Sequence, residues 1–313
     1  MKNNLLFRGT ATALVTPFQK HDPEKIDETA FLRLLQMQGE AGVPALVIGG
    51  TTGEASALTS GEHTRLIELA KENSDASTVI IAGCGASTTA KTVSLTKNAA
   101  SAGADAALIV TPYYNKCSQE GLWRHYMTIA DQSDIPLIVY EVPSRTGMKV
   151  SVETYKRLAA HPQIIGVKDA TSDMERTALL LNAVGDSLAL YTGCDGVIVP
   201  TLAMNGHGVI SVLSNLMPKT VCRLCELCFE KSYAQAAALQ CTLAPLIRAL
   251  FEEVNPIPVK AALAARGLCA PVYRLPLCPF SDEESTHLLS LWDAVLQKTS
   301  FIEEKQKKDG DVR

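Results

Sequence analysis

The sequence predicts an α/β fold, a (β/α)8 TIM barrel followed by a C-terminal helical appendage. Three observations carry this. From about residue 9 to residue 230 an apolar strand and an amphipathic helix alternate at intervals of roughly 25–30 residues, and eight such units fit. Polar residues suited to chemistry stand at the ends of many of these strands. That spread favours a closed barrel over a doubly wound open sheet, whose local pattern is the same. From about residue 232 onward the strand pattern stops and helical periodicity takes over. The expected division is a barrel over 1–231 that holds the site, and a helical region with a charged tail over 232–313.

Taken in order, Thr10–Phe18 reads as the first apolar strand, and Asp27 caps a helix carrying Phe31, Leu34, Leu35 and Gln38. Ala45–Gly49 is the second strand. Thr59 and Glu62 have capping-box spacing at the start of the second helix. Val79–Ala82 and Thr88–Ala102 form the third unit, Ala106–Thr111 and Ser118–Asp131 the fourth, and Pro136–Tyr140 and Ser151–Ala160 the fifth. Ile164–Val167 is the sixth strand, and Ser172 with Glu175 reads as another capping box. Ala189–Thr192 with a short helix over Val197–Met204 is the seventh unit. Val209–Val212 is the eighth strand, and Pro218 suits the first turn of its helix. Beyond it, Ala234–Leu250, Pro258–Arg266 and Ser281–Lys298 read as helices, and Glu303–Arg313 as a charged, fraying end.

Composition sets the outer bounds. With 313 residues, 47% of them hydrophobic and 20% charged, the chain sustains a large core. A net charge of -4 gives no reason to expect nucleic acid or an anionic membrane as partner. The stretch Met1–Arg8 lacks the apolar run of a signal peptide, and no apolar run approaches membrane-spanning length, so the expected location is cytoplasmic. Nine cysteines, an odd number, fit a reducing compartment better than a disulfide framework. Cys222, Cys225 and Cys228 have the C-x2-C-x2-C spacing of some iron–sulfur sites. In a helix the same spacing puts three small residues on one face, and packing is the reading we favour.

The strand ends hold the chemistry. Lys168 closes the run Ile164-Ile165-Gly166-Val167. Burial disfavours an ammonium ion, and a neutral amine attacks a ketone to form a Schiff base. A surface lysine paired with Asp169 is the plain alternative, although strand alternation turns Asp169 away from Lys168. After the second strand, Gly49-Gly50-Thr51-Thr52-Gly53-Glu54 offers free backbone N–H groups and two hydroxyls to an anion, or is an ordinary glycine turn. Tyr113 and Tyr114 follow the fourth strand and read locally as a packing pair, one in and one out. Tyr140 ends the fifth strand, and Arg145 stands five residues later on a loop, placed to clamp a carboxylate. Gly193, Cys194 and Asp195 follow the seventh strand. His207 lies among glycines and reads as structural. Together these groups are the inventory for Schiff-base chemistry on an α-keto acid.

The segments GTTGE (50–54), TPYYN (111–115), Y-x-VPSRTG (140–147), GVKDAT (166–171), GHGVISV (206–212) and NPIPVK (255–260) make the chain resemble the dihydrodipicolinate synthase family, within the N-acetylneuraminate lyase superfamily. The match runs over about residues 8–280. The resemblance implies condensation of pyruvate with L-aspartate 4-semialdehyde to 4-hydroxy-tetrahydrodipicolinate, in the diaminopimelate and lysine pathway, with no metal or organic cofactor. It implies that Lys168 forms the Schiff base and that Thr51, Thr52 and the backbone at Gly193 and Ile210 hold the pyruvate carboxylate. It implies that Tyr140, Thr51 and Tyr114 relay protons, and that Arg145 meets the aldehyde's carboxylate. Tyr114 would reach into a neighbouring subunit, so a homo-oligomer is implied, a tetramer built from dimers. A sugar-acid aldolase of the superfamily is the alternative enzyme, and Arg145 argues against it. A non-catalytic paralogue would be expected to have lost Lys168 or a tyrosine.

Two departures stand out. Glu141 occupies a position where the family usually has asparagine. A carboxylate beside Tyr140 either perturbs proton transfer by that phenol or turns away into a polar network, and the sequence leaves both open. Ser60, Ser87 and Lys91 replace residues of the family's lysine-feedback site, although His63 and Tyr113 match it. Lys91 in place of an acid would repel the ligand's ammonium, so inhibition by L-lysine is expected to be weak or absent.

Overall fold

The structure is a computed structural model. It describes residues 5–299 in full and 300–310 only as the continuation of a helix. Met1–Asn4 lie outside the described residues, and the fraying expected of Glu303–Arg313 falls where no side chain is described.

Strand β1 (Gly9–Ala13) is followed by an antiparallel pair, β2 (Phe18–Gln19) and β3 (Asp22–Ile26), and then by α1 (Glu28–Glu40). The repeat continues with β4 (Ala45–Ile48) and α2 (Ser60–Asn73), β5 (Val79–Gly83) and α3 (Thr89–Ser101), then β6 (Ala106–Val110) and α4 (Gln119–Ala130). Next come β7 (Leu137–Glu141), a helical turn α5 (Pro143–Thr146) and α6 (Val152–Ala159), then β8 (Ile164–Asp169) and α7 (Met174–Val184). The last units are β9 (Ala189–Thr192) with α8 (Ile198–Ala203) and β10 (Gly208–Ser211) with α9 (Pro218–Phe229). Helices α10 (Tyr233–Ala249), α11 (Ile257–Ala265) and α12 (Asp282–Gly310) complete the chain.

The eight strands β1 and β4–β10 form one closed parallel barrel, in which β1 pairs with both β4 and β10. Parallel strands are covered on both faces, so they read as unbroken apolar runs. Alternation divides each run. Ala45 and Val47 face the barrel interior with Leu108, Ile138, Tyr140 and Ile210. Leu46 and Ile48 face the surrounding helices. The helices start where caps direct them: Asp27 accepts from Ala30 N, and Thr59 with Glu62 forms the capping box.

Three local expectations need correction. The first strand ends at Ala13, and the run to Phe18 instead enters the β2–β3 pair. The cap of α7 is Asp173, which accepts from Arg176 N. Ser172 stands at φ +57° in the turn before it. The sixth barrel strand also runs past Val167, through Lys168 to Asp169.

Cys225 and Cys228 are buried in the core on α9, and burial pushes their thiols up to about 12 and about 11. Among the described residues no group of three His, Cys, Asp or Glu side chains is arranged to hold a metal ion.

Candidate active site

Lys168 is the last residue but one of β8, with only 6% of its surface exposed. Its register partner on β7 is Tyr140, and in-register neighbours on parallel strands point the same way. The Lys168 Nζ therefore lies 4.2 Å from the centroid of the Tyr140 ring. The π-face is a favourable neighbour for an ammonium ion and an apolar wall for a neutral amine. On the other side, a side chain at Gly193 would stand 2.8 Å from Lys168 Cε, so a glycine there makes the lysine's space. Asp169 turns outward as alternation requires, accepting from Thr171 N at 2.9 Å and from the Thr177 hydroxyl at 3.3 Å.

Asp195 lies near enough to feel the Lys168 charge, and no sequence motif marks it for a role. It is buried and accepts from Ser211 Oγ at 2.5 Å and from Val212 N and Leu213 N at 3.0 Å each. Burial pushes its carboxyl up, against those donors and the nearby Lys168 charge. Its signal in sequence was weak, an acid three residues past a strand. Cys194 lies beside it, with its thiol pushed up by burial. His207 accepts from Leu190 N at 3.1 Å through Nδ1, as a structural histidine would.

The turn after β4 packs closely on the next strand. A side chain at Gly83 would meet Gly49 O at 2.2 Å. Thr52 is buried, and its hydroxyl accepts from Asn255 Nδ2 at 3.0 Å. Thr51 is half-buried beside it. Glu54, at φ +55°, is ion-paired with the fully buried Lys260 at 2.5 Å, and Lys260 also donates to Val272 O at 2.7 Å. Desolvation pulls the Lys260 ammonium down, and Glu54 opposes this. The segment after α10 thus holds the turn over residues 49–54 from outside the barrel. Asn255 and Lys260 begin and end the NPIPVK motif, the one signal in sequence that pointed to them.

Arg145 sits exposed on α5 and donates from Nη2 to Asn255 O at 3.1 Å. Asn255 therefore touches both Thr52 and Arg145, while its Oδ1 is buried with no hydrogen-bond partner among the described residues. Ile210 is buried in the barrel interior on β10. Lys168, Tyr140, Gly193, Thr52 and Ile210 thus belong to the barrel interior and its rim. Tyr114 is different. At φ +69° its side chain is 92% exposed, and Tyr113 is 36% exposed. Neither is the inward member of a packing pair within this chain.

Glu141 turns away from the site. It is wholly buried on the outer face of β7, where it accepts from Tyr155 OH at 2.8 Å and pairs with Arg176 at 2.5 Å. Burial pushes its carboxyl up, and Arg176 opposes that. Of the two possibilities left open for this residue, the polar network is the one observed.

The arrangement offers a sheltered amine against a phenol ring, with hydroxyls and backbone N–H groups on the adjoining rim. That is a setting for imine formation on a small keto acid. The model of the dihydrodipicolinate synthetase family matches residues 6–295. The 4-hydroxy-tetrahydrodipicolinate synthase of Exiguobacterium sibiricum is 45% identical over 284 residues, 91% of this chain and 96% of that one. The synthase of Thermodesulfovibrio yellowstonii is 44% identical over 283 residues, 90% of this chain and 96% of that one. Among solved structures, the chloride-inhibited dihydrodipicolinate synthase of Acinetobacter baumannii, complexed with pyruvate, superposes with a TM-score of 0.90 at 40% identity, covering 92% of this chain and 99% of that one. The 4-hydroxy-tetrahydrodipicolinate synthase of Methylacidiphilum fumariolicum superposes with a TM-score of 0.92 at 38% identity, covering 95% and 99%.

Proposed function

The chain belongs to the dihydrodipicolinate synthetase family, and from that premise we propose how its residues carry 4-hydroxy-tetrahydrodipicolinate synthase activity. The observation that carries the reading is the Lys168 amine, sheltered at a barrel strand's end and 4.2 Å from the centre of the Tyr140 ring. Lys168 Nζ attacks the ketone carbon of pyruvate, and loss of water leaves an imine. Thr51 and Thr52, with the backbone at Gly193 and Ile210, hold the pyruvate carboxylate. The pyruvate complex of the Acinetobacter relative supports this choice of first substrate.

The imine draws electrons from the adjoining methyl group, whose proton passes through the Tyr140 hydroxyl and Thr51 to leave an enamine. The enamine carbon attacks the aldehyde of L-aspartate 4-semialdehyde, while Arg145 meets that substrate's carboxylate. The substrate's amine then displaces Lys168 from the imine carbon, closing the ring and freeing the enzyme. Tyr114 completes the relay from a neighbouring subunit of a homo-oligomer, a tetramer built from dimers. Its exposure within one chain supports that role. None of the helices, among the described residues, is long and apolar enough to cross a membrane, which agrees with a cytoplasmic enzyme. With Lys91 on α3 exposed, we propose that L-lysine inhibits weakly or not at all.

Borohydride reduction in the presence of pyruvate, followed by peptide mass mapping, tests the central step. A reduced pyruvyl adduct is expected on Lys168, and none on a Lys168→Ala variant. An adduct confined to another lysine, or no adduct, would sink the mechanism.

A further inference from the structure

We propose that Glu141 and Arg176 are positioning residues, a staple that closes the loop presenting Arg145 and so sets affinity for the second, carboxylate-bearing substrate. The inference rests on the role proposed above for Arg145.

The loop leaves β7 at Glu141 and returns at Val150, just before the Ser151 cap of α6. Its two ends are tied together. Val150 N donates to Glu141 Oε1 at 3.0 Å, and Arg176 Nη2 donates both to Glu141 Oε2 and to Val150 O, each at 2.5 Å. One ion pair therefore occupies both backbone groups of Val150. Compact loops of this kind, with joined ends, are held by their own internal contacts. Here those contacts run from the staple to Arg145. Arg145 N and Thr146 N donate to Val142 O at 2.9 and 3.1 Å, and Gly147 N donates to Pro143 O at 2.8 Å. Met148 N donates to the Thr146 hydroxyl at 3.2 Å. These bonds join the turn that carries Arg145 to Val142, next to Glu141, and to Met148, two residues before Val150.

Two further points favour a positioning role. Glu141 is wholly buried and the Arg176 side chain is 14% exposed, so the pair is drawn largely out of water. Desolvation offsets much of what such a pair contributes to stability, and fixing geometry is a better-attested use. The staple is also separable from Tyr140. Backbone bonds from Thr111 N to Tyr140 O (3.0 Å) and from Ala170 N to Glu141 O (2.9 Å) already anchor this end of β7 to its neighbours. Loss of the staple should therefore move Arg145 and leave Tyr140 beside Lys168.

The experiment replaces both charges together, Glu141→Gln with Arg176→Met, so that no lone charge stays buried. The Michaelis constant for L-aspartate 4-semialdehyde is expected to rise by about tenfold, inside the roughly 10²-fold that a 1 Å misplacement can cost. The constant for pyruvate, and the rate at which borohydride traps pyruvate on Lys168, should stay within about twofold of the unmodified enzyme, a change far below what misplacing a reacting group produces. In an Arg145→Ala background the double replacement should add no further rise. If Arg145→Ala raises the aldehyde constant and the double replacement does not, the inference is overturned and the Arg145 reading stands. It is equally overturned if the double replacement adds its full factor on top of Arg145→Ala, raises the pyruvate constant alike, or abolishes trapping. If Arg145→Ala leaves the aldehyde constant unchanged, the Arg145 reading falls and takes this inference with it.

Discussion

The ring of Tyr140 lies flat against the Lys168 amine, and this separates two contributions of one residue. The ring shelters the amine, while in the proposed mechanism the hydroxyl moves the proton that makes the enamine. Tyr140→Phe keeps the first and deletes the second. The turnover number is expected to fall by about 10²–10⁴-fold, the usual worth of general acid–base help. Borohydride trapping of pyruvate on Lys168 should persist. Steady-state kinetics beside a trapping assay make the comparison, and loss of trapping would show that the hydroxyl also serves imine formation. At this scale the sequence was informative about Lys168 and Tyr140, because a polar residue closing a buried strand has few ways to point. It left open what Glu141 meets, which is an arginine 35 residues away.

At the scale of elements, the segment after α10 holds the turn over residues 49–54 and the start of α2. Arg274 donates to both Glu62 carboxylate oxygens, and to Pro23 O and Ala57 O at 2.9 and 2.8 Å. Its hydrogen bonds hold the Glu62 carboxyl down at about 2, against a usual value of 4.5. A carboxyl depressed in the folded state stabilises it fully above the usual value, and that stability fades as pH falls toward the depressed one. Arg274→Met should therefore cost on the order of 2 kcal/mol at neutral pH, as lost charged hydrogen bonds do. The gap from the unmodified protein should shrink between pH 4.5 and about 2. Urea unfolding at a series of pH values reads this, and a gap independent of pH would count against the Glu62–Arg274 pair as its source. Element boundaries were legible to within a few residues, since caps and apolar runs are local. The β2–β3 pair was not, because Asp22-Pro23-Glu24-Lys25 has none of the apolar alternation that marks a strand.

At the scale of the whole molecule, Tyr114 projects from its own chain, and in the proposed mechanism it serves the neighbour's site. Tyr114→Phe and Lys168→Ala should each be nearly inactive alone. Mixed and reassembled, they should regain on the order of a quarter of full activity, because one site in a random mixed dimer draws both intact residues. An activity assay after co-refolding checks this, and the absence of any recovery would place Tyr114 outside the neighbour's site. The amino-acid sequence by itself determined the barrel, the appended helices and the lysine at the sixth barrel strand's end. Those follow from periodicity and from burial on both strand faces, which any short window of chain displays. Only the tertiary structure decided that Asn255 reaches Thr52 and Lys260 reaches Glu54, across 203 and 206 residues. It also decided that Tyr140 and Glu141, adjacent in the chain, serve opposite sides of one strand. Alternation separates such neighbours, but what each then meets is supplied by distant segments, and no local pattern records their arrival.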